Sequence, residues 1–382
     1  MELHFKVQAF PYEMLRATFY NSGGRVKQGW RCTMPIVPNF IERLVLLKLN
    51  RGPALMLDFL GAQAFRVLCV AVKLGVFDAL SRGSRTAAET AGQIKADERG
   101  TTLLLEALET LGYVKRTDGH YANTPMTVKW LLPSSPTGLA GGVPFFEGMV
   151  FDRWGHLDES IRRGKPTVFG SEWLDQHPGS YRVYEEGMIA GARMTADEVV
   201  AKVKLPPSAH RLLDLGGGHG LYSIRFCRRY PRLSATVFDL PQALEVARET
   251  IAAEGMGGRV AVLEGDFWGD DIGVGYDAVL LFNIIHAYLP EKNTELLRKV
   301  SRALNPGGLI VIMEQVTGEV AGPTGRAFAA LQGLNFFNDL GGRTYAFDEI
   351  ATWLARVGFS NPRRIVLRKT PGFGLVLGTR MG

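Results

Sequence analysis

The chain has 382 residues, 46% hydrophobic and 21% charged, with a formal net charge of +6. That profile fits a globular protein with room for two domains and a sizeable core, and excludes a disordered chain or a small disulfide-stapled scaffold. The mild positive charge permits an anionic partner without arguing for one.

Three scattered cysteines, Cys32, Cys69 and Cys227, form no CxxC pair. No metal site is expected from them, and a reducing, cytoplasmic setting is. Residues 1–52 read as an N-terminal arm. Its start lacks the basic and apolar regions of a secretory signal. Asn21-Ser22-Gly23-Gly24 is a turn, basic residues surround Trp30, and Asn39 caps a helix from Phe40 to about Leu49.

Residues 53–132 form a second unit. Leu55 to Phe77 is apolar at helical spacing and ends at Gly75. Its most apolar stretch, Phe65–Phe77, carries Arg66 and Lys73 and is too short and too charged for a transmembrane segment. Thr86-Ala87-Ala88-Glu89 is a capping box. Asp97 caps a longer helix that Gly112 stops. Asp118-Gly119 then joins two short strands. Three helices and a hairpin predict a winged helix. Glu98, Glu106 and Glu109 outweigh Arg99 on the third helix, so no nucleic acid partner is expected and a dimerising role is.

Residues 133–209 read as a helical connector rich in aromatics and methionine. Phe146, Met149, Trp154 and Met188 are its candidate substrate-pocket residues, because such side chains line adaptable apolar pockets.

From residue 210 onward, strands and helices alternate. Strands are expected at Arg211–Leu215, Ala235–Phe238, Val260–Leu263, Ala278–Phe282 and Leu309–Met313, with helices between them. A helix at Phe347–Val357 precedes two closing strands, Arg364–Leu367 and Gly374–Leu377. The alternation predicts an α/β fold with a mostly parallel, Rossmann-like sheet, whose ligands bind at the carboxyl ends of the strands.

Chemistry-bearing residues fall at those ends. Asp214 closes the first strand and Gly216, Gly218 and Gly220 follow it, a turn without the Cβ atoms that would hold a ligand away. The spacing is GxGxG, which disfavours a nicotinamide dinucleotide. Asp239 ends the second strand, about twenty residues on, where a carboxylate accepts both ribose hydroxyls of an adenosine. Asp266-Phe267 ends the third, an acid and a ring suited to an adenine. Asn283 and His286 follow the fourth strand and Glu314 follows the fifth. Neighbouring strand ends would let Glu314 orient His286 as a general base.

On these residues the chain resembles the SAM-dependent O-methyltransferases of the caffeate, hydroxyneurosporene and acetylserotonin type. Asp214–Gly220 stands in the family's DxGGGxG position, Phe238-Asp239-Leu240-Pro241 in its DLP motif, and Gly265-Asp266-Phe267 in its GD-aromatic motif. Asn305-Pro306-Gly307-Gly308 matches the turn before strand five, and Leu74–Leu80 and Leu108–Tyr113 match the dimerisation domain.

The resemblance implies a seven-stranded SAM methyltransferase domain behind a winged-helix dimerisation domain, assembled as a homodimer. It implies S-adenosyl-L-methionine as cofactor, S-adenosyl-L-homocysteine as product and no metal. It places His286 as catalytic base and Glu314 beside it. Asp214, Gly216, Gly218, Gly220, Asp239, Leu240, Asp266, Phe267 and Asn283 would bind the cofactor, and Phe336 and Asn338 would join the pocket. The acceptor would be a hydroxyl on an aromatic, quinone or pigment-like small molecule. Alternatives are methylation at carbon, or a non-catalytic SAM- or ligand-binding winged-helix protein. The chain departs from the family at Ala287-Tyr288, where Asp-Trp is usual, at Phe282, where lysine is common, and at Thr344, where a second glutamate is expected.

Overall fold

The computed structural model describes residues 38–135, 137–177, 179–318, 322–370 and 372–382, except for the side chains of 322–324. The turn at Asn21–Gly24, Trp30 and Cys32 lie outside the described residues.

Asn39 caps a short helix, Phe40–Arg43, which continues as a π-helical turn at Leu44–Lys48 rather than the regular helix expected. The next helix, α1, spans Leu55–Lys73. Gly75 then turns at φ 73° into a short helix, Val76–Ala79. Helix α2 (Ala87–Ile94) starts at the Thr86–Glu89 capping box, and α3 (Glu98–Thr110) starts at Asp97. Strands β1 (Val114–Thr117) and β2 (His120–Asn123) pair antiparallel around Asp118-Gly119. Phe77, Leu80, Leu105, Leu108, Val114 and Tyr121 form the core of this unit.

Helix α1 is long and apolar enough, by length and composition, to cross a membrane, with 17% of its most apolar window buried. The sequence reading has the helix start at Leu55 and judges only its part Phe65–Phe77, which is too short to span; the whole helix meets the length and composition test. Leu55, Phe59 and Leu60 on α1, with Phe40 and Ile41 before it, leave an exposed apolar face.

Helices α4 (Val143–Phe151) and α5 (Ser180–Lys202) lead into the sheet. It comprises β3 (Arg211–Leu215), β4 (Ser234–Asp239), β5 (Val260–Glu264), β6 (Tyr276–Phe282), β7 (Leu304–Gln315), β8 (Phe359–Val366) and β9 (Phe373–Arg380). Their order is β5-β4-β3-β6-β7-β9-β8, parallel except for β9, which runs against both of its neighbours. Side chains alternate between two cores, as a strand's period of two requires. Leu212, Val237, Leu280 and Val311 face one side, where α5, α6 (Leu221–Arg229) and α7 (Leu244–Ala253) pack. Leu213, Phe238, Leu281 and Ile312 face the other, against α8 (Pro290–Ala303) and α10 (Phe347–Arg356). A helix that the sequence reading did not predict, α9 (Gly322–Leu340), lies between β7 and α10 in the chain.

The chain leaves β3 toward β4 on one side and returns to β6 on the other. This reversal opens a crevice at the strand ends, the usual ligand position in such sheets.

Candidate functional site

A cavity of about 420 Å³ opens at that crevice. Asp214, Gly216, Gly217 and Gly218 line it from the β3 turn, Asp239 and Leu240 from β4, Asp266 and Phe267 after β5, and Asn283 and His286 after β6. Met188, Arg153, Tyr184, Glu185 and Asp339 reach it from the helical side.

The β3 turn is shaped for close approach. Gly216 has φ 70° and Gly218 φ 44°, backbone that L side chains rarely adopt. A Cβ on Gly216 would come within 2.4 Å of Ile284, and one on Gly218 within 2.5 Å of the Glu185 carboxyl. Gly220 caps α6 at φ 71°. Asp214 is buried beneath the turn and accepts from Ser223 Oγ at 2.8 Å. Burial, partly offset by that bond, pushes its carboxyl up to about 7. His219 accepts from the Leu221 N–H at Nδ1, and burial pushes it down to about 4. It is neutral and tied to the loop.

Asp239 accepts from the Gly218 N–H with one oxygen and from the Leu240 N–H with the other, both at 2.8 Å. A carboxylate has about four lone-pair sites, so roughly two remain for a diol. Burial raises this carboxyl above its ordinary value, against the lowering effect of the two N–H bonds. Asp266 Oδ1 accepts from the Trp268 N–H at 2.9 Å. Phe267 and Trp268 pack edge-on against Tyr288, with ring centres 6.3 and 4.9 Å away.

Strands β6 and β7 are neighbours, so Glu314 meets the loop after β6. Its Oε1 accepts the Ile284 and Ile285 N–H groups, each at 2.8 Å, and its Oε2 pairs with His286 Nδ1 at 2.6 Å. Both side chains are buried. Phe336 stacks flat on the imidazole at 3.9 Å. Gly342 packs so closely that a Cβ there would overlap the His286 carbonyl. The ring is therefore held on its edge, its face and its backbone.

The remaining pocket predictions fall differently. Met188 lines the cavity, whereas Phe146, Met149, Trp154, Phe336 and Asn338 do not. Phe146 is partly exposed on α4. Trp154 donates to Asn335 Oδ1 at 2.8 Å, and Asn338 donates to the carbonyl of the cavity-lining Arg153 at 3.1 Å. Arg153, Glu185 and Asp339 were not foreseen as site residues. Arg153 Nη1 reaches both Asp339 oxygens at 2.6 Å, while its guanidinium lies over Phe145 and Trp173. The pair joins residues 186 apart, and no local pattern announces such a contact.

The departures from the family motifs have structural counterparts. Phe282 packs edge-on against Tyr222 at 4.8 Å. Thr344 accepts a hydrogen bond from Thr317 at 3.0 Å.

Residues 154–360 match the O-methyltransferase domain family, and residues 58–133 match the O-methyltransferase dimerisation domain. The chain belongs to the SAM-dependent O-methyltransferase family. Over 333 residues the enzyme is 32% identical to 3-hydroxy-5-methyl-1-naphthoate 3-O-methyltransferase of Streptomyces sahachiroi, covering 86% of this chain and 95% of that one. It is 31% identical to 3-amino-4-hydroxybenzoate 4-O-methyltransferase of Streptomyces cremeus, covering 80% and 83%. The solved structure of PigF with SAH superposes with a TM-score of 0.75 at 26% identity, covering 85% of this chain and 98% of that one.

The enzyme's cofactor is S-adenosylmethionine. The site fits it on local grounds: two glycines make room at the turn, Asp239 keeps free lone pairs, and the buried Glu185 carboxyl has an oxygen without a partner. Among the described residues, no cluster of histidine, cysteine and acidic side chains could hold a metal ion.

Proposed function

We propose that the enzyme transfers a methyl group to a phenolic hydroxyl of an aromatic small molecule, with His286 as general base and Glu314 as its orienting partner. The observation that carries this reading is the 2.6 Å contact between His286 Nδ1 and Glu314 Oε2 at the cavity. Glu314 accepts two backbone N–H groups as well, so the ionised form has donors on both oxygens. A hydrogen bond to a charged group in such a setting contributes about 1.5–3 kcal/mol. The carboxylate holds the proton on Nδ1 and leaves the Nε2 lone pair for the cavity.

SAM supplies a methyl group on a sulfonium, whose departure as a neutral thioether needs no protonation. The enzyme's own task is to align the hydroxyl, remove its proton and exclude water. His286 Nε2 accepts that proton as the oxygen forms its new bond, and Glu314 stabilises the imidazolium. General-base help is worth roughly 10²–10⁴-fold, with alignment adding more. The relatives named for a hydroxynaphthoate and a hydroxybenzoate support a hydroxylated aromatic acceptor. Asp214, Gly216, Gly218, Asp239, Leu240, Asp266, Phe267 and Asn283 would hold the cofactor, with Met188 on the acceptor side.

We further propose an arm (1–52), a winged-helix dimerisation unit (53–132), a connector (133–209) and a catalytic unit (210–382). A homodimer would cover the apolar face of α1 that the single chain leaves exposed. A monomeric mass by sedimentation at micromolar concentration would contradict that assembly. Cys69 and Cys227 are buried free thiols, which supports a cytoplasmic location. Replacing His286 by Ala tests the central proposal. Turnover should fall by about 10²–10⁴-fold with SAH affinity kept, and turnover close to wild type would remove the base from the mechanism.

A further inference from the structure

Five carboxyl side chains line the cavity: Glu185, Asp214, Asp239, Asp266 and Asp339. Four have evident partners. Ser223 bonds Asp214, the Gly218 and Leu240 N–H groups bond Asp239, the Trp268 N–H bonds Asp266, and Arg153 pairs with Asp339. Glu185 differs. It projects from α5, is 4% exposed, and its Oε2 has no hydrogen-bond partner. No cation is paired with it in the ion pairs of the described residues. Burial and the nearby Asp239 charge push its carboxyl well above the ordinary range, while the His219 N–H acts in the opposite sense.

A buried carboxyl with an unpartnered oxygen is costly, and one beside a second carboxylate more so. Its place is specific: the two oxygens lie 2.5 and 2.9 Å from where a Gly218 Cβ would be. Glu185 therefore occupies the space beside the cofactor turn that the glycine leaves free. SAM carries one primary ammonium, on its amino-acid tail. With the ribose diol taken by Asp239 and the adenine edge by Asp266, that ammonium still needs an acceptor.

We propose that Glu185 is the specificity-determining partner of the cofactor's α-ammonium, bonding it through Oε2 as the tail passes Gly218. This rests on the SAM site described above and deepens it. The ligand supplies a cation that no ion pair of the described residues gives Glu185, so selectivity for the intact amino-acid tail follows from an oxygen that is unsatisfied without it. Glu185 then acts in cofactor binding and leaves proton removal from the acceptor to His286.

The test is calorimetric titration of the full-length wild type and Glu185→Gln with two ligands, SAH and its deaminated analogue, which keeps the adenosine, the sulfur and the carboxylate. Wild type should bind SAH tightly and the analogue weakly. Glu185→Gln should weaken SAH by about 10- to 100-fold, the worth of a charge-assisted hydrogen bond in a buried site, and leave the analogue unchanged. The ligand-free melting temperature of the variant should not fall, because an unsatisfied carboxyl has been removed. Glu185→Ala should repeat the pattern. Unchanged SAH affinity in both variants would overturn the inference. Equal weakening of SAH and the analogue would also overturn it, since the residue would then act on another part of the ligand or only on the fold. Failure of wild type to bind SAH at all would remove the cofactor site itself, and this inference with it.

Discussion

Replacing Glu314 by Gln separates orientation from charge at the base. Three donors converge on the carboxylate: the N–H groups of Ile284 and Ile285 at one oxygen and His286 Nδ1 at the other. An amide has one acceptor end, so it must choose. Turning its NH2 toward the backbone would orphan two buried N–H donors, at about 1–3 kcal/mol each. Turning its NH2 toward His286 keeps both backbone bonds and makes Nδ1 the acceptor. The second arrangement is favoured by several kcal/mol on that arithmetic. The imidazole proton then moves to Nε2, and the nitrogen facing the acceptor can no longer take a proton. Turnover should drop by about 10²–10⁴-fold, while SAH affinity stays near wild type because Asp239 and the glycine turn are untouched. Long-range ¹⁵N–¹H correlation spectra of His286 report the tautomer without needing an acceptor. The expected change is from an Nδ1–H ring in wild type to an Nε2–H ring in the variant. A variant that keeps the proton on Nδ1, or turns over at the wild-type rate, would refute the orienting role.

Asp239→Ala should lower SAH affinity by about 100-fold or more, because it removes acceptors for the ribose and frees two backbone N–H groups, each bond being worth about 1.5–3 kcal/mol. Calorimetry decides it, and near-wild-type affinity would count against the pocket. Ligand-free stability should fall as pH rises from about 4 to 7: burial raises Asp214 to about 7 and also raises Asp239, Asp339 and Glu185, so the folded state keeps protons that the unfolded chain has lost, and these four carboxyls outnumber buried His219, which is lowered to about 4 and acts in the opposite sense. By the linkage slope Asp214 takes away about 4 kcal/mol across that window and His219 returns about 3 kcal/mol, so the net fall comes mainly from the other three raised carboxyls. A melting temperature that climbs between about pH 5 and 7 would contradict it.

The sheet and its strand-end chemistry were legible because both depend on local pattern. Apolar runs of strand length, each ending in an acid or a glycine cluster, mark Asp214, Asp239 and Asp266. The strand order then brings His286 and Glu314 together from 28 residues apart. Helix α9 gave no such signal. Gly322, Gly325 and Gly333 interrupt it, and its apolar residues spread around the axis instead of forming one stripe. The residues it carries, Phe336 against the imidazole and Asp339 against Arg153, were therefore unreadable as partners. Strand β8 starts at Phe359, earlier than expected, because Pro362 reads as a break. The chain accommodates it with Asn361 at φ 50° and a register shift between Ser360 and Arg363. Arg153 and Glu185 depend on how α5 and the preceding turns dock, which is a property of tertiary packing rather than of period.

The most direct test of the account is the fate of the transferred methyl. The enzyme would be incubated with SAM labelled with ¹³C at the methyl group and a panel of hydroxylated aromatic acids, and the products read by carbon NMR. The account predicts a methoxy signal from wild type that is lost in His286→Ala, with SAH binding retained by the variant. Label appearing as an aryl methyl, or a methoxy product formed equally well without His286, would contradict it.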